Sequence, residues 1–180
     1  GNFIQTGNKY DMVIEGDGFF QIELPGDGTI AYTRDGSFAV DRDGNVVTSD
    51  GYPITPALTV PDNVLTFVVN SDGTVSVTTS DSPTPTTIGQ INLVRFINPA
   101  GLDARLGRNL LLETEASGPP LEGTPGLDGL GSIEQGFLEN SNVQVVEEVI
   151  SLIVAQRAYE ANSRVIQASD EMLQTATNLR

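Results

Sequence analysis

The last part of the chain contains neither glycine nor proline. This segment covers residues 143–179, whereas the whole chain of 180 residues carries 19 Gly and 10 Pro. Because both residue types interrupt helices, their absence over this length predicts one long helix. Ser141 or Asn142 can cap its start, and Glu147 and Glu148 lie near the positive end of its dipole. At about 1.5 Å rise per residue the helix would reach on the order of 55 Å, longer than the diameter of a small domain.

Apolar and small residues in this segment recur in steps of four and three, the pattern of a coiled-coil seam. A second row lies beside the first and repeats every seven residues. The two rows make an apolar band wider than a two-stranded coiled coil requires. We interpret the band as an assembly interface. Its candidate residues are Leu152, Val154, Ala158, Tyr159, Ala161, Val165, Ile166, Ala168, Met172, Leu173 and Leu179.

A simpler alternative is a helix folded back on its own domain, since most amphipathic helices of globular proteins cover a core. The predicted length argues against it, because one domain cannot bury so long a helix. The small residues Ala155, Ala158 and Ala161 also permit close approach of a second helix. We therefore expect packing between chains.

The region from Asp11 to about Phe137 is predicted to be β. Asp-Gly pairs mark hairpin turns there, because both residues tolerate the positive φ angles of type I′ turns. The first five pairs recur every 7 to 10 residues or so, a spacing typical of short strands in a meander. The pairs begin at Asp17, Asp27, Asp35, Asp43, Asp50, Asp72 and Asp128.

Alternating and β-branched runs between these turns predict the strands. We expect strands over 19–24, 30–33 and 38–40, a hairpin of 65–69 with 74–78, and a strand over 88–96; residues 79–87 and 117–131 are predicted to be loops. The fold class is thus mainly β with a long C-terminal α-helix: an antiparallel, hairpin-rich β domain plus a coiled-coil-type helix. The predicted domains are 1–10, a remnant of an N-terminal linker region; 11–140, an acidic β domain; and 141–180, the helix.

The composition argues against an enzyme. The chain has no Cys and no His, so thiolate nucleophiles, disulfides and the commonest general base near neutral pH are excluded. Neither Ser163 nor Tyr159 has a His to activate it. We expect no catalytic, cofactor-binding or metal site.

One segment superficially resembles a calcium loop. Asp41, Asp43 and Asn45 have the spacing of the first ligands, but the glycine is misplaced and no Glu follows at the twelfth position. A hairpin turn is the better interpretation. Carboxylate pairs such as Glu113 and Glu115 are expected by chance among 24 acidic residues, so we interpret them as solvated surface.

The net charge of −15 disfavours nucleic acid and anionic lipid as partners. The charge is uneven: residues 1–142 hold 19 acidic and 6 basic residues, a net of −13, and residues 143–180 hold 5 acidic and 3 basic, a net of −2. No run approaches the roughly 20 apolar residues of a membrane-spanning helix, and residues 1–8 do not have the pattern of a secretory signal.

Several long motifs resemble the rod and hook proteins of the bacterial flagellum. The C-terminal motifs are GFLENSNV at 136–143, IVAQRAYEANS at 153–163 and IQASDEML at 166–173; upstream, EGDGFF at 15–20 and YTRDGSF at 32–38 also match. Together they cover nearly the whole chain. The short β region and VVEE at 145–148 are most similar to the distal-rod members, with proximal-rod and hook-type paralogues as alternatives.

The resemblance implies a structural subunit of a tubular drive shaft, with paired terminal helices inside and β domains outside. Implied partners are copies of itself, other rod proteins, the hook protein and the surrounding basal-body rings, with no cofactor, no nucleic acid and no direct membrane insertion. It also implies export by the flagellar type III apparatus to a rod that spans the periplasm to the outer membrane.

Family members carry an N-terminal helical segment before the equivalent of residues 4–8, and we expect that segment to pair with the C-terminal helix. Adding it should raise helicity and self-association. A further hypothesis is that the acidic β domain keeps a rotating shaft from adhering to its rings. The alternatives of another class are an acidic calcium- or carbohydrate-binding β module, a surface-active enzyme, and a β-helix fibre; irregular strand spacing after Tyr52 disfavours the fibre.

Overall fold

The protein forms two compact units in a computed structural model, Gly1–Asn140 and Ser141–Arg180. The structure describes residues 2–26, 28–104, 106–107, 109–140 and 145–178. Within the helix it describes the side chains of residues 150, 152–167 and 172.

The first unit consists of short strands, and the second contains one helix. The elements are β1 (Phe3–Gln5), β2 (Met12–Glu15), β3 (Phe20–Glu23), β4 (Ile30–Thr33), β5 (Phe38–Val40), β6 (Val46–Thr48), β7 (Ile54–Thr55), β8 (Val64–Val69), β9 (Thr74–Thr79), β10 (Thr86–Gln90), β11 (Leu93–Arg95), a 3₁₀ turn (Pro99–Gly101), β12 (Leu121–Gly123), β13 (Ser132–Gln135), β14 (Phe137–Glu139) and α1 (Val145–Asn178).

Every strand pairing within the described residues is antiparallel, and one long helix follows the strands, which confirms the predicted class of an antiparallel β domain with a C-terminal helix. The coiled-coil type of the helix stays a prediction. Local hairpins join β3 to β4, β5 to β6, and β8 to β9 and β10. Two pairings instead connect the ends of the unit: β2 lies beside β13, and β1 beside β14. The predicted meander is therefore only partly right, because several strands pair with distant ones rather than with their neighbours in sequence.

The core of the first unit is mainly aliphatic and contains a few phenylalanines. Its largest cluster includes Met12, Ile14, Phe20, Ile54 and Ile91, all essentially inaccessible to solvent. Burial of such side chains contributes about 1.5–3 kcal/mol each, so this cluster supplies most of the driving force for folding of the unit.

A smaller aromatic cluster lies apart from the main core. Tyr32 packs edge-on against Phe96 with ring centroids 4.8 Å apart, and Phe19 contacts Phe96 at 6.0 Å. Edge-to-face packing of this kind fixes the relative orientation of the strands that carry the rings. It couples β4, which carries Tyr32, to the residue that follows β11.

The Asp-Gly pairs lie at turns, but the predicted type I′ geometry is wrong for most of them. Among the described pairs only Asp128–Gly129 places both residues at positive φ. At Asp43–Gly44 only the glycine does, and the Asp41 carboxylate accepts hydrogen bonds from the amides of Asp43 and Asn45 at 2.9 and 2.8 Å. These hydrogen bonds from backbone amides to the Asp41 side chain stabilise the turn without a positive φ at Asp43.

Two predicted segments differ from the structure. The single strand over 88–96 is divided into β10 and β11, because the Ile91 amide turns away to donate to the Gly73 carbonyl at 2.8 Å. The predicted loop over 117–131 contains the short strand β12. The loop over 79–87 is confirmed for most of its length, and β10 begins only at Thr86, after Pro85.

Candidate assembly surface

The helix α1 extends over 34 residues, Val145–Asn178. Its uninterrupted length follows from the lack of Gly and Pro, and at about 1.5 Å per residue it measures on the order of 50 Å. The predicted capping residues Ser141 and Asn142 lie outside the described residues, as does Leu179. Most helical stability in proteins comes from packing of an amphipathic face rather than from propensity, so we expect packing of the apolar face of α1 to stabilise it.

All the candidate interface side chains that the structure describes on α1 are exposed. Among the large ones, Tyr159 is 79% exposed and Met172 is 67% exposed. The exposed members of the predicted band are Leu152, Val154, Ala158, Tyr159, Ala161, Val165, Ile166 and Met172. Ala168 and Leu173 belong to α1, and their side chains lie outside the described part.

The helical repeat brings these residues onto one broad face. At about 100° per residue, the first row centres on Val154 and Val165 and the second on Tyr159 and Ile166, so together they span roughly 200° of the circumference. A band that wide can contact two neighbouring helices at once, whereas a single partner covers only a narrow seam.

Sequence reasoning missed two exposed apolar residues on α1. Ile150 lies four residues before Val154 and continues the first row, so the step pattern itself could have identified it. Ile153 is 44% exposed and lies on the opposite arc, near Arg157 and Glu160, where neither row predicts an apolar residue. We call the two rows together the helix band. The first row consists of Ile150, Val154, Ala158, Ala161, Val165, Ala168, Met172 and Leu179, and the second of Leu152, Tyr159, Ile166 and Leu173.

Among the residues of α1 whose side chains the structure describes, the charged ones lie on the arc opposite the helix band. Arg157, Glu160 and Arg164 are exposed, and Glu160 stands four residues before Arg164. This spacing and order favour a modest helix-stabilising pair. Over residues 152–167 the helix is therefore apolar on one broad face and charged on the other, as expected for an element that packs against other helices.

A charged contact anchors β14, the last strand before the helical unit. Arg34 donates from Nε to Oε2 of Glu139 at 3.1 Å, and its terminal nitrogens donate to the carbonyls of Ile14, Gly16 and Gly18 at 3.0–3.2 Å. Burial raises the pKa of Glu139, but the hydrogen bond and charge of Arg34 outweigh burial and leave this pKa below its usual value.

The segment that resembles a calcium loop forms a hairpin turn, as predicted. The Asp41 amide donates to the Asn45 carbonyl at 3.0 Å and joins β5 to β6. Hydrogen bonds from the Asn45 amide and its neighbours lower the pKa of Asp41. Within the described ranges, no group of three or more acidic side chains is placed to hold a metal ion.

No helix among the described residues is long and apolar enough to cross a membrane.

Comparison with known proteins gives two family matches. Residues 13–77 match the flagellar hook protein FlgE/F/G D1 domain, and residues 134–179 match the C-terminal domain of the flagellar basal body rod FlgEFG proteins. The first match extends from β2 into β9 within the first unit, and the second extends from the end of β13 through β14 and all of α1.

Individual relatives agree with these matches. The flagellar basal-body rod protein FlgG of Buchnera aphidicola subsp. Schizaphis graminum is 50% identical over 179 residues, which is 99% of this chain and 68% of the relative. FlgG of Borreliella burgdorferi is 49% identical over 182 residues, 100% of this chain and 68% of the relative. The flagellar hook protein FlgE of Escherichia coli is 40% identical over 120 residues, 67% of this chain and 29% of the relative.

The rod-type relatives match over almost the whole chain, whereas the hook protein matches over two thirds of it. The resemblance drawn from the motifs is thereby confirmed, including its preference for rod over hook proteins. The chain belongs to the FlgE/F/G family of flagellar axial proteins, in its FlgG branch of basal-body rod proteins, and it is a structural subunit of the distal rod.

Proposed function

We propose that the chain polymerises through the helix band into a tubular shaft that transmits motor torque from the basal body to the hook. Membership of the rod family supports a structural role in the flagellar basal body. The mechanical role requires many copies locked together, so that rotation of one end turns the other.

The observation that carries this proposal is the exposed helix band on a helix of 34 residues. Exposed apolar surface of this extent is rarely left in contact with water in a functional state, and it marks an association site. Each large apolar side chain buried at such an interface contributes about 1.5–3 kcal/mol.

The two rows of the band suit two different neighbours. The first row contains Ala158 and Ala161, whose small side chains allow a partner helix to approach closely. The second row contains the larger Tyr159 and Ile166. We propose that one row packs against a helix of the same subunit and the other against a helix of an adjacent subunit, which makes a continuous tube wall.

The domain division follows from the same reasoning. Residues 141–180 form the inner, polymerising domain, and residues 11–140 form the outer β domain. Residues 1–10 belong to an N-terminal linker region. Residues 1–142 carry a net charge of −13, and this charge keeps the outer domain from adhering to the surrounding rings.

The further partners are other rod proteins, the hook protein and the ring proteins. The subunit is exported to the rod by the flagellar type III apparatus. Its role is structural rather than enzymatic.

A pair of charge substitutions tests the helix band. Val154→Glu with Ile166→Glu places one carboxylate in each row, and the control, Gln156→Glu with Gln167→Glu, adds the same charge elsewhere on α1. Sedimentation velocity and electron microscopy should show assembly of the wild-type and control chains and monomers of the band variant.

Straight tubes support a rod-type shaft, and curved tubes indicate the hook-type alternative. Wild-type protein that remains monomeric at high concentration, or a band variant that assembles as well as the control, contradicts the proposal.

A further inference from the structure

One exposed surface of the first unit carries apolar side chains between two glutamates at one end and an arginine at the other. Its apolar members are Ile97, Pro119, Leu121 and Leu127, all of them exposed. Ile97 is 78% exposed and Leu127 is 59% exposed, so water covers most of the area of both side chains. We call these four residues the apolar strip.

The apolar strip is continuous because β11 and β12 hold its members together. Arg95 on β11 lies directly opposite Leu121 on β12, so their side chains share a face. Ile97 follows Arg95 by two residues, and its Cδ1 lies 4.0 Å from the position of a Cβ added to Gly118. Pro119, the next residue after Gly118, therefore joins Ile97 to Leu121 along one surface.

The acidic end of this surface is a groove. The groove has a volume of about 760 Å³, and its lining includes Pro119 of the strip together with Tyr32, Glu113 and Glu115. Burial raises the pKa of the Tyr32 hydroxyl, and the nearby charges of Glu113 and Glu122 raise this pKa further. The potential in the groove is therefore negative and attracts a cation. We call it the acidic groove.

Arg95 forms the basic end. Its guanidinium makes no hydrogen bond or ion pair with any residue in the described part of the chain. One of its terminal nitrogens lies 3.8 Å from the position of a Cβ added to Gly129, in the turn that carries Leu127. An exposed guanidinium beside apolar side chains suits a carboxylate, which it can bind through two N–H groups at once.

The two ends occupy fixed positions on one body. Phe96 lies between Arg95 and Ile97 in sequence, and its buried ring packs against Tyr32 with centroids 4.8 Å apart. Tyr32 lines the acidic groove. This packing holds the strand end that carries Arg95 against the groove, so the spacing of the two charged ends is set before any partner binds. A preformed surface of this kind loses less conformational freedom on binding.

A second copy of this chain suits the acidic groove poorly. Residues 1–142 hold 19 acidic and 6 basic residues, so two β units repel each other. Among the described cations of this unit, Arg34 already binds Glu139, and Lys9 lies over the Tyr10 ring at 5.0 Å. The cation that the groove attracts is therefore better supplied by another protein.

We propose that the apolar strip, with the acidic groove and Arg95 at its ends, is a docking site for an extended segment of a different protein. The segment carries Lys or Arg for the acidic groove, apolar side chains for the strip, and Asp or Glu for Arg95. The unlike charges at the two ends admit the segment in one direction only, because the reversed segment would meet like charge at both ends. This contact goes beyond the proposed function, since it does not involve the helix band.

A fluorescent peptide tests the site. The probe has blocked ends and about eight residues, which span about 26 Å when extended, with two Lys at one end, alternating Leu and Thr in the middle and one Asp at the other end. Fluorescence anisotropy measures its binding to the Val154→Glu, Ile166→Glu variant, which keeps assembly through the helix band out of the measurement. We expect saturable binding with a Kd below about 1 mM that weakens as salt is added, and the same affinity for the wild-type chain.

Each charged end is tested by a matched change in the protein and in the peptide. Arg95→Gln should weaken binding of the probe about threefold and leave a probe with Asn in place of Asp unaffected. Glu113→Gln with Glu115→Gln should weaken it about fivefold and leave a probe with Gln in place of Lys unaffected. The control, Asp62→Asn with Glu134→Gln, removes two exposed carboxylates elsewhere and should change the Kd less than about twofold.

The apolar part of the site has its own test. Ile97→Ser with Leu121→Ser should weaken binding of the probe about tenfold, because it removes two apolar side chains that the peptide covers. Val68→Ser, at an exposed position on β8, is the control and should leave the Kd unchanged. Circular dichroism verifies that each variant folds.

Three results overturn the docking inference. The first is no saturable binding of the probe up to about 1 mM. The second is an end variant that weakens the full probe and the neutralised probe equally. The third is self-association of the Val154→Glu, Ile166→Glu variant that Arg95→Gln abolishes, since the strip would then be a contact between copies. Assembly of the wild-type chain reports on the helix band alone, so failure of the docking inference leaves the proposed function standing.

Discussion

The guanidinium of Arg34 and the carboxylate of Glu139, 105 residues apart in sequence, form an ion pair of 3.1 Å. Arg34 follows β4, and Glu139 ends β14, the strand that precedes the helical unit. The same guanidinium donates to the carbonyl of Ile14 in β2 and to those of Gly16 and Gly18 between β2 and β3. One side chain therefore holds together three distant segments of the β unit.

The ion pair predicts a pH dependence of stability. The folded-state pKa of Glu139 lies below its unfolded value near 4.5, so the contribution is complete above that value and is lost as pH falls through the folded-state pKa. Because Glu139 is 24% exposed, we expect Glu139→Gln to cost about 1 kcal/mol at neutral pH.

Urea unfolding followed by tyrosine fluorescence, from pH 7 down in steps to about pH 3, measures this effect. The difference between wild type and Glu139→Gln should shrink as the solution is acidified. Glu134→Gln, an exposed change on the neighbouring strand β13, should cost little at any pH. A constant difference across the range contradicts the assigned pair.

The carbonyl contacts of Arg34 predict that lysine cannot replace it. A single ammonium cannot reach Glu139 and three carbonyls together, whereas the planar guanidinium does so. We expect Arg34→Lys to destabilise the β unit by about 2 kcal/mol, because part-buried acceptors lose their donors. Arg42→Lys, on an exposed turn, is the matched control and should be neutral in the same urea titration. Equal stability of the two variants would show that the carbonyl contacts contribute nothing.

The sequence predicts local features well because they depend on neighbouring residues. Alternation located β3, β4, β5, β8 and β9, and the lack of Gly and Pro located α1. Asp-Gly pairs marked turns, but the predicted φ angles of most pairs were wrong. A side chain such as that of Asp41 can accept hydrogen bonds from the backbone amides of a turn, and this stabilises the turn without two positive φ angles.

Long-range pairing could not be predicted in this way. An alternating pattern specifies which face of a strand is buried but not which strand lies beside it. The pairing of β2 with β13, and the contact of Arg34 with Glu139, bring together residues more than 100 positions apart. The helix band was predictable because its period is local, whereas the groove that Tyr32 and Leu112 line required the fold to bring these two residues together.

Gly36 is predicted to be irreplaceable for a steric reason. A Cβ added there would overlap the carbonyl oxygen of Met12, whose own amide donates to the Gly36 carbonyl at 3.0 Å. We expect Gly36→Ala to cost more than about 3 kcal/mol, since the clash is with backbone in the core. Thermal unfolding by circular dichroism measures it.

Gly51→Ala is the control for Gly36→Ala. Gly51 has φ of +87° but no atom within 4 Å of an added Cβ, so its substitution should cost only about 1–2 kcal/mol of left-handed strain. If Gly36→Ala is no more harmful than Gly51→Ala, the close approach of the two backbones is not a constraint on the fold.

Replacement of Gln21 and of Gln135 by methionine is predicted to change the free energy of unfolding in opposite directions. Gln21 on β3 is 8% exposed, and its Nε2 has no hydrogen-bond partner among the residues that the structure describes. In contrast, Gln135 donates to the carbonyls of Lys9 and Phe67 and accepts from the Val69 amide at 3.1 Å. A buried amide without a partner carries a desolvation cost of about 1–3 kcal/mol, and a fully bonded one stabilises.

We therefore expect Gln21→Met to raise the free energy of unfolding by about 1 kcal/mol, because methionine has a similar volume and no polar group to desolvate. Gln135→Met should lower it by about 2 kcal/mol, because it removes three hydrogen bonds that join β13 to β8 and to Lys9. Urea unfolding of both variants in parallel measures the signs. Destabilisation by Gln21→Met would mean that the Gln21 amide has a hydrogen-bond partner after all. The sign of the change in the free energy of unfolding therefore shows whether this buried amide on β3 is hydrogen-bonded.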